Sequence, residues 1–230
     1  MVQKSNRENI MITGGECVGC RSCEQVCPTG CIVFKPDEEG FLYPKVEEEQ
    51  CIRCGKCIHS CPFGAIASKT YLVDVINAIK DEGKNVYAMA APATEGQFGE
   101  QITMNSWKKA MKDLGFKGFI EVGLGGDMTA AYEAEEWAEA YKEGEKKVTS
   151  CCPAFVNMVR KHYPELADCV STTISPMCAV SRMIKAKDPD AVTVFIGPCL
   201  AKKSEVKDQA IEGNADYVLT YSEIHAIMKA

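Results

Sequence analysis

The chain has 230 residues, 46% of them hydrophobic and 25% charged, and a formal net charge of -6. That length suits a small domain joined to one of ordinary size, and the acidic balance argues against nucleic acid as a partner, which would call for a basic face. No long apolar run and no charged-then-apolar leader is present, so the expectation is a cytoplasmic protein with no membrane partner.

The outlying number is fourteen cysteines, nine of them before residue 62. In a cytosolic chain such a count points to metal rather than to a disulfide framework. Residues 17–28 read Cys17-x2-Cys20-x2-Cys23-x3-Cys27-Pro28, and residues 51–62 repeat this as Cys51-x2-Cys54-x2-Cys57-x3-Cys61-Pro62. Three thiolates on a tight loop can reach three corners of one iron-sulfur cubane, while the fourth, across a turn, ligates the other cluster. By this crossing rule Cys17, Cys20, Cys23 and Cys61 hold one cluster, and Cys51, Cys54, Cys57 and Cys27 hold the second. A zinc ribbon needs only one set of four cysteines, and structural thiols need no register. Two complete runs, each ending in Cys-Pro, are therefore read as two [4Fe-4S] clusters. Over roughly residues 10–68 the pattern resembles the bacterial two-cluster ferredoxins. Cys31 matches Ala65 of the second copy and reads as a small buried residue, and His59 reads as exposed. An α+β ferredoxin-like domain is expected over residues 1–69, one that does not survive loss of iron.

After Lys69 the pattern changes to alternating strands and helices. Strands are predicted near residues 85–90, 118–122, 147–150, 191–196 and 215–219. Helical periods fall near 72–82, 98–114, 127–143, 153–162, 176–187 and 222–230. This alternation predicts an α/β domain over residues 70–230 with a mostly parallel sheet and a ligand crevice beyond the C-terminal ends of its strands. Unusual residues gather at those ends. Thr149-Ser150-Cys151-Cys152-Pro153 places two sulfurs at a helix N-terminus, a position that favours thiolate. Gly197-Pro198-Cys199-Leu200-Ala201-Lys202-Lys203-Ser204-Glu205 follows another strand, and Ala91-Pro92 follows a third.

Together these stretches resemble the [FeFe]-hydrogenases, which make or oxidise dihydrogen at an iron site called the H-cluster. Residues 149–153 look like the first signature of that family and residues 198–205 like its second. The resemblance implies that Cys152 and Cys199 ligate the four-iron cubane of the H-cluster, that Cys151 is the proton-relaying thiol beside its two-iron unit, and that Lys202 holds a cyanide ligand of that unit. Ala91 and Pro92 would form part of the pocket around the second cyanide. Asp127-Met128-Thr129-Ala130-Ala131-Tyr132-Glu133-Ala134-Glu135-Glu136 resembles the family's proton-path helix, with Glu133 and Glu136 sharing a face with Thr129, Trp137 and Ala140. The alternative for Glu136 is a solvated acidic helix. Ser171 or Thr172 would continue the relay or cap a helix.

The sequence departs from the family in three places. Gly197 stands where Met usually precedes Pro-Cys, Met177 stands where glutamine is common, and the third cysteine signature is absent before Ala230. Cys169 and Cys178 read as small buried residues rather than replacement ligands. The expectation is accordingly the first part of a longer parent in which the H-cluster would be complete, this chain alone being inactive. Its partners would be dihydrogen, protons and a redox protein such as ferredoxin. Two further functions are compatible with the pattern. Gly197 and Met177 favour a dihydrogen or redox sensor, which the retained Cys151 disfavours. An iron-sulfur assembly factor shares similar motifs, but the strict two-cluster repeat disfavours it.

Overall fold

The computed structural model describes the backbone of residues 10–12 and all of residues 16–229. The expected lack of a leader concerns residues outside that range. The described chain forms two compact units. One comprises residues up to Lys69 together with Pro153–Ala167, and the other comprises Thr70–Cys152 with Asp168 onward.

The first unit is built twice over. Strand β1 (Ile10–Ile12) pairs antiparallel with β4 (Ile66–Ser68), and β2 (Ile32–Pro36) pairs antiparallel with β3 (Leu42–Val46). Each cysteine run enters a short helix, α1 (Ser22–Gln25) or α2 (Lys56–Ser60). The duplication extends to the backbone: Gly19, Arg21 and Gly30 take left-handed φ in the first copy, and Arg53, Gly55 and Gly64 do so at the matching positions of the second. Such residues turn a chain tightly enough to wrap its sulfurs round one point. Helix α6 (Pro153–His162), with Pro153 at its first turn as expected, belongs to this unit. It is tied to the loop before the second run: Lys161 Nζ donates to the carbonyls of Glu48 and Cys51 at 2.8 and 2.7 Å, and Asn157 donates to that of Ile52.

The second unit is organised by a four-stranded parallel sheet. Its strands are β5 (Val86–Ala90), β6 (Gly118–Glu121), β7 (Val192–Ile196) and β8 (Tyr217–Leu219), in the order β6-β5-β7-β8. Alternation along each strand separates two cores. Val86, Ala88, Val194, Ile196 and Leu219 face α3 (Leu72–Lys80), α4 (Met104–Asp113) and α9 (Tyr221–Lys229), packing on Val75, Trp107, Met111 and Ile224. Met89, Phe195 and Val218 point the other way, onto Met177, Val180 and Ile184 of α7 (Pro176–Lys187). Ser175 caps α7 by accepting from the amide of Cys178, with Pro176 at the first position. The 21-residue α5 (Gly123–Glu143) crosses α7 closely. A Cβ at Gly125 would meet the carbonyl oxygen of Pro176 and come within 2.8 Å of Val180, so only glycine fits there.

The strand predicted near 147–150 is reduced to a single parallel bridge, Val148 to Val170. Thr149 and Ser150 turn their hydrogen bonds to side chains instead of a ladder. None of the helices among the described residues is long and apolar enough to cross a membrane.

Candidate functional site

Two cysteine-lined cavities occupy the first unit. One is lined by Cys51, Cys54 and Cys57 of the second run and by Cys27 and Cys31 from the first copy. The other is lined by Cys17, Cys20 and Cys23 with Cys61. Each cavity thus receives three sulfurs from one run and the last cysteine of the other, the arrangement expected from the spacing. Cys23, Cys31, Cys51 and Cys57 are buried and pack with Ile32 and Ile66 as the core of the unit. Three of these thiols, Cys23, Cys31 and Cys57, resist ionising, whereas a hydrogen bond with Cys31 lowers that of Cys51. Burial, reinforced by the neighbouring Cys54, Cys27 and Cys23, pushes the Cys57 thiol up to about 12, and burial likewise raises Cys23. Exposed Cys20 goes the other way because the Ser22 hydroxyl and amide stabilise its thiolate. Four soft sulfurs round an apolar cavity fit an iron-sulfur group, whose positive irons would offset the repulsion that a single-chain cavity of thiolates otherwise suffers. His59 is exposed, as expected.

In the second unit the sheet order reverses between β5 and β7, because β6 lies to one side of β5 and β7 with β8 to the other. Open parallel sheets place ligands outside the strand ends at such a switch point. The ends of β5 and β7 supply Ala91-Pro92 and Gly197-Pro198-Cys199. These two ends adjoin: the Ala91 amide donates to the carbonyl of Ile196 at 2.9 Å, and a Cβ at Gly197 would lie 2.9 Å from that of Ala91 and 2.8 Å from the Phe195 ring. The departure at Gly197 therefore has a steric counterpart, since Phe195 fills the space a side chain there would need.

The turn from Cys199 is closed by the Lys202 amide on the carbonyl of Cys199 at 3.3 Å and leads into the short α8 (Lys202–Glu205). Lys202 is only 8% exposed. Its ammonium donates to Glu205 Oε2 at 2.6 Å and to the carbonyl of Cys151 at 3.2 Å. The other oxygen of Glu205 accepts a short hydrogen bond from Ser175 at the head of α7. One buried cation thus fixes the 149–152 loop against the 199–205 turn. Cys151 and Cys152 are exposed and Cys199 is partly buried.

Both glutamates of α5 face this loop system. Glu133 Oε1 accepts from the Thr149 hydroxyl at 2.8 Å, and that hydroxyl in turn accepts from the Cys151 amide at 3.4 Å. Glu136 accepts from the Ser171 hydroxyl at 2.6 Å and the Thr172 amide at 3.1 Å, with Lys147 at 3.7 Å. Burial works against the Glu136 carboxylate, but these partners outweigh it and hold its pKa below the ordinary value. The segments carrying these partners meet where the Ser150 hydroxyl donates to the carbonyl of Thr173 at 2.5 Å. Glu136 is therefore engaged rather than merely solvated.

One member of the predicted helix face is displaced. Thr129 and Ala140 are buried, but Trp137 is 45% exposed, because eight residues from Thr129 carry it roughly 80° round the helix. Three participants escaped the sequence reading. Glu205 sits in the quoted signature three residues after Lys202, a spacing that signals an ion pair on one helical turn. Thr149 was visible only as part of a signature. Lys147 had no local signal, since its partner lies on another element.

A family model described as "Iron only hydrogenase large subunit, C-terminal domain" matches residues 84–230, and models of a "4Fe-4S dicluster domain" match residues 16–65 and 43–108. Among curated relatives, the periplasmic [Fe] hydrogenase large subunit of Nitratidesulfovibrio vulgaris is 34% identical over 85% of this chain and 51% of its own length. The NADP-reducing hydrogenase subunit HndD of Solidesulfovibrio fructosivorans is 28% identical over 93% of this chain and 43% of its own. The chain thus spans about half the length of these two relatives. Among solved structures, a variant of the apo [FeFe]-hydrogenase HydA1 from Chlamydomonas reinhardtii superposes with a TM-score of 0.63 at 26% identity, covering 70% of this chain and 48% of that one. With a family model spanning most of its residues, the chain belongs to the iron-only hydrogenase large-subunit family, and carries iron-sulfur electron-transfer domains ahead of that region.

Proposed function

We propose that the chain takes part in the reversible reduction of protons to dihydrogen, with electrons delivered through two [4Fe-4S] clusters in its first unit. The observation that carries this reading is the Lys202 bridge, which joins the Cys151 loop to the Cys199 turn at the switch point of the sheet. The proposed clusters are held by Cys17, Cys20, Cys23 and Cys61 and by Cys51, Cys54, Cys57 and Cys27, matching the two cavity linings. Cys152 and Cys199 are proposed ligands of the H-cluster, with Ala91 and Pro92 lining its pocket. When bound, that group supplies the redox chemistry at which dihydrogen is made or split.

The side chains provide charge and proton handling. Lys202, paired with Glu205, offers a fixed positive charge to an anionic ligand. Cys151 Sγ gives or takes the proton. Glu133 lies one hydroxyl, Thr149, from the Cys151 backbone and is the next station, and Ser171 with Glu136 continues outward. A redox protein such as ferredoxin is the proposed electron partner, and the fourteen cysteines support a reducing compartment such as the cytoplasm.

Anaerobic infrared spectroscopy of the matured full-length parent tests the reading, because bound carbonyl and cyanide ligands give bands in an otherwise clear window. An iron-loaded protein without those bands removes it. Gly197, whose space Phe195 closes, favours a second reading as a dihydrogen sensor on the same fold. Turnover assays with dihydrogen on that parent separate the two, and Cys151→Ala in the parent is expected to abolish turnover with iron content unchanged.

A further inference from the structure

The internal repeat sets Cys31 in the first copy against Ala65 in the second. Both positions line a cavity, Cys31 that of Cys27, Cys51, Cys54 and Cys57, and Ala65 that of Cys17, Cys20, Cys23 and Cys61. One cavity therefore holds five sulfurs. Cys31 is 3% exposed, and its sulfur lies 3.4 Å from that of Cys27. A left-handed Gly30 (φ 64°) and the bond from its amide to the Cys27 carbonyl make the turn that stacks the two sulfurs.

We propose that Cys31 is a reserve ligand, able to take over the cluster corner assigned to Cys27. The inference rests on the cluster reading above. Two sulfurs 3.4 Å apart can address the same iron by a side-chain rotation, without moving the backbone. Cys27 reaches this cavity from the other run and is only partly buried, whereas Cys31 beside it is shielded. In the exchange the iron bond to Cys27 breaks, the bond to Cys31 forms, and the Cys31 thiol proton passes to Cys27. No electron moves, and no further reagent is needed. The internal symmetry makes the other half a control, since Ala65 offers no sulfur behind Cys61.

The test is iron content and the electron paramagnetic resonance of the reduced protein, both independent of turnover. The unaltered chain should hold about eight irons, from two cubanes of four. A count far below that, with no cubane signal, overturns the cluster reading itself. Given that count, Cys27→Ala should keep it with a shifted signal, whereas Cys27→Ala/Cys31→Ala should fall toward about four. Cys61→Ala should lose the other cluster, and adding Ala65→Cys should restore it. Equal iron loss in Cys27→Ala and the double variant overturns the assignment, as does failure of Cys27→Ala to fold where Cys61→Ala does.

Discussion

The two units reach a folded state by different means. The second buries hydrocarbon on both faces of its sheet, with Trp107, Met111, Met89, Val180 and Ile224 at 2% exposure or less. The central cluster of the first, among the described residues, is mostly sulfur: Cys23, Cys31, Cys51 and Cys57 with Ile32 and Ile66. Hydrocarbon burial needs nothing from outside, whereas thiols pushed toward each other need a metal. The same polypeptide thus joins a unit that is stable by packing to one whose stability is borrowed from its cofactor.

The sharpest way to break this contrast is to remove iron. Structural metal sites contribute on the order of 10 kcal/mol to folding, far more than a small domain retains without them. Anaerobic chelation should abolish hydrogen-exchange protection over 16–69 and 153–167 while leaving residues 70–152 and 168–229 protected and still melting cooperatively. Simultaneous loss in both units would show that the second also leans on metal.

Next in size is the buried ion pair of the second unit. Lys202→Met strands the Glu205 carboxylate, which is itself only 8% exposed. The expected cost is about 3–5 kcal/mol in urea unfolding. Adding Glu205→Leu should recover most of it, because an apolar pair of similar volume is often neutral. If Lys202→Met alone proves silent, water reaches the pair and the 149–152 loop is held by other contacts.

These contrasts bear on what could be read from the sequence. The grouping of the cysteines was legible because the fourth cysteine of each run is displaced by a fixed spacing, and both cavity linings show that crossing. The strands of the sheet were legible as short apolar runs, since a parallel sheet is covered on both faces. The strand near 147 misled because Val148 is apolar, yet the following residues are hydroxyls that bond Glu133 and the Thr173 carbonyl. The attachment of α6 to the first unit was invisible. It depends on Lys161 and Asn157 finding carbonyls more than a hundred positions earlier, and no local period reports that.

Acid separates the units more gently. In the second unit Glu223, like Glu136, is disfavoured by burial but held below the ordinary carboxylate value, here by Lys203 and the Thr220 amide. A depressed folded value means that the stabilisation is complete above the unfolded value near 4.5 and is lost as pH falls through the folded one. Urea midpoints should therefore fall as the pH drops below about 4.5, less steeply in Glu223→Gln. In the first unit the sign is opposite for loading: Cys57, raised to about 12, must release a proton to bind metal. Iron uptake by the apo chain should accordingly strengthen as pH rises.

The smallest expected effect compares the two halves of the repeat. Arg21 and Gly55 occupy equivalent left-handed positions, at φ 61° and 79°. A non-glycine residue there costs about 1–2 kcal/mol, so Arg21→Gly relieves strain. It also removes the guanidinium stacked 5.2 Å from the Phe34 ring and an exposed ion pair with Glu24, together worth about 1 kcal/mol, and it loosens the unfolded chain by about 0.5–1 kcal/mol. The sum lies near zero. Gly55→Ala gains no such contacts and should destabilise the iron-loaded protein by about 1 kcal/mol, read as a lower midpoint for thermal loss of the cluster absorbance. Were Arg21→Gly instead to shift the reduction potential of the cluster assigned to the Cys17 run, the arginine would act through its charge near the sulfurs rather than through the turn.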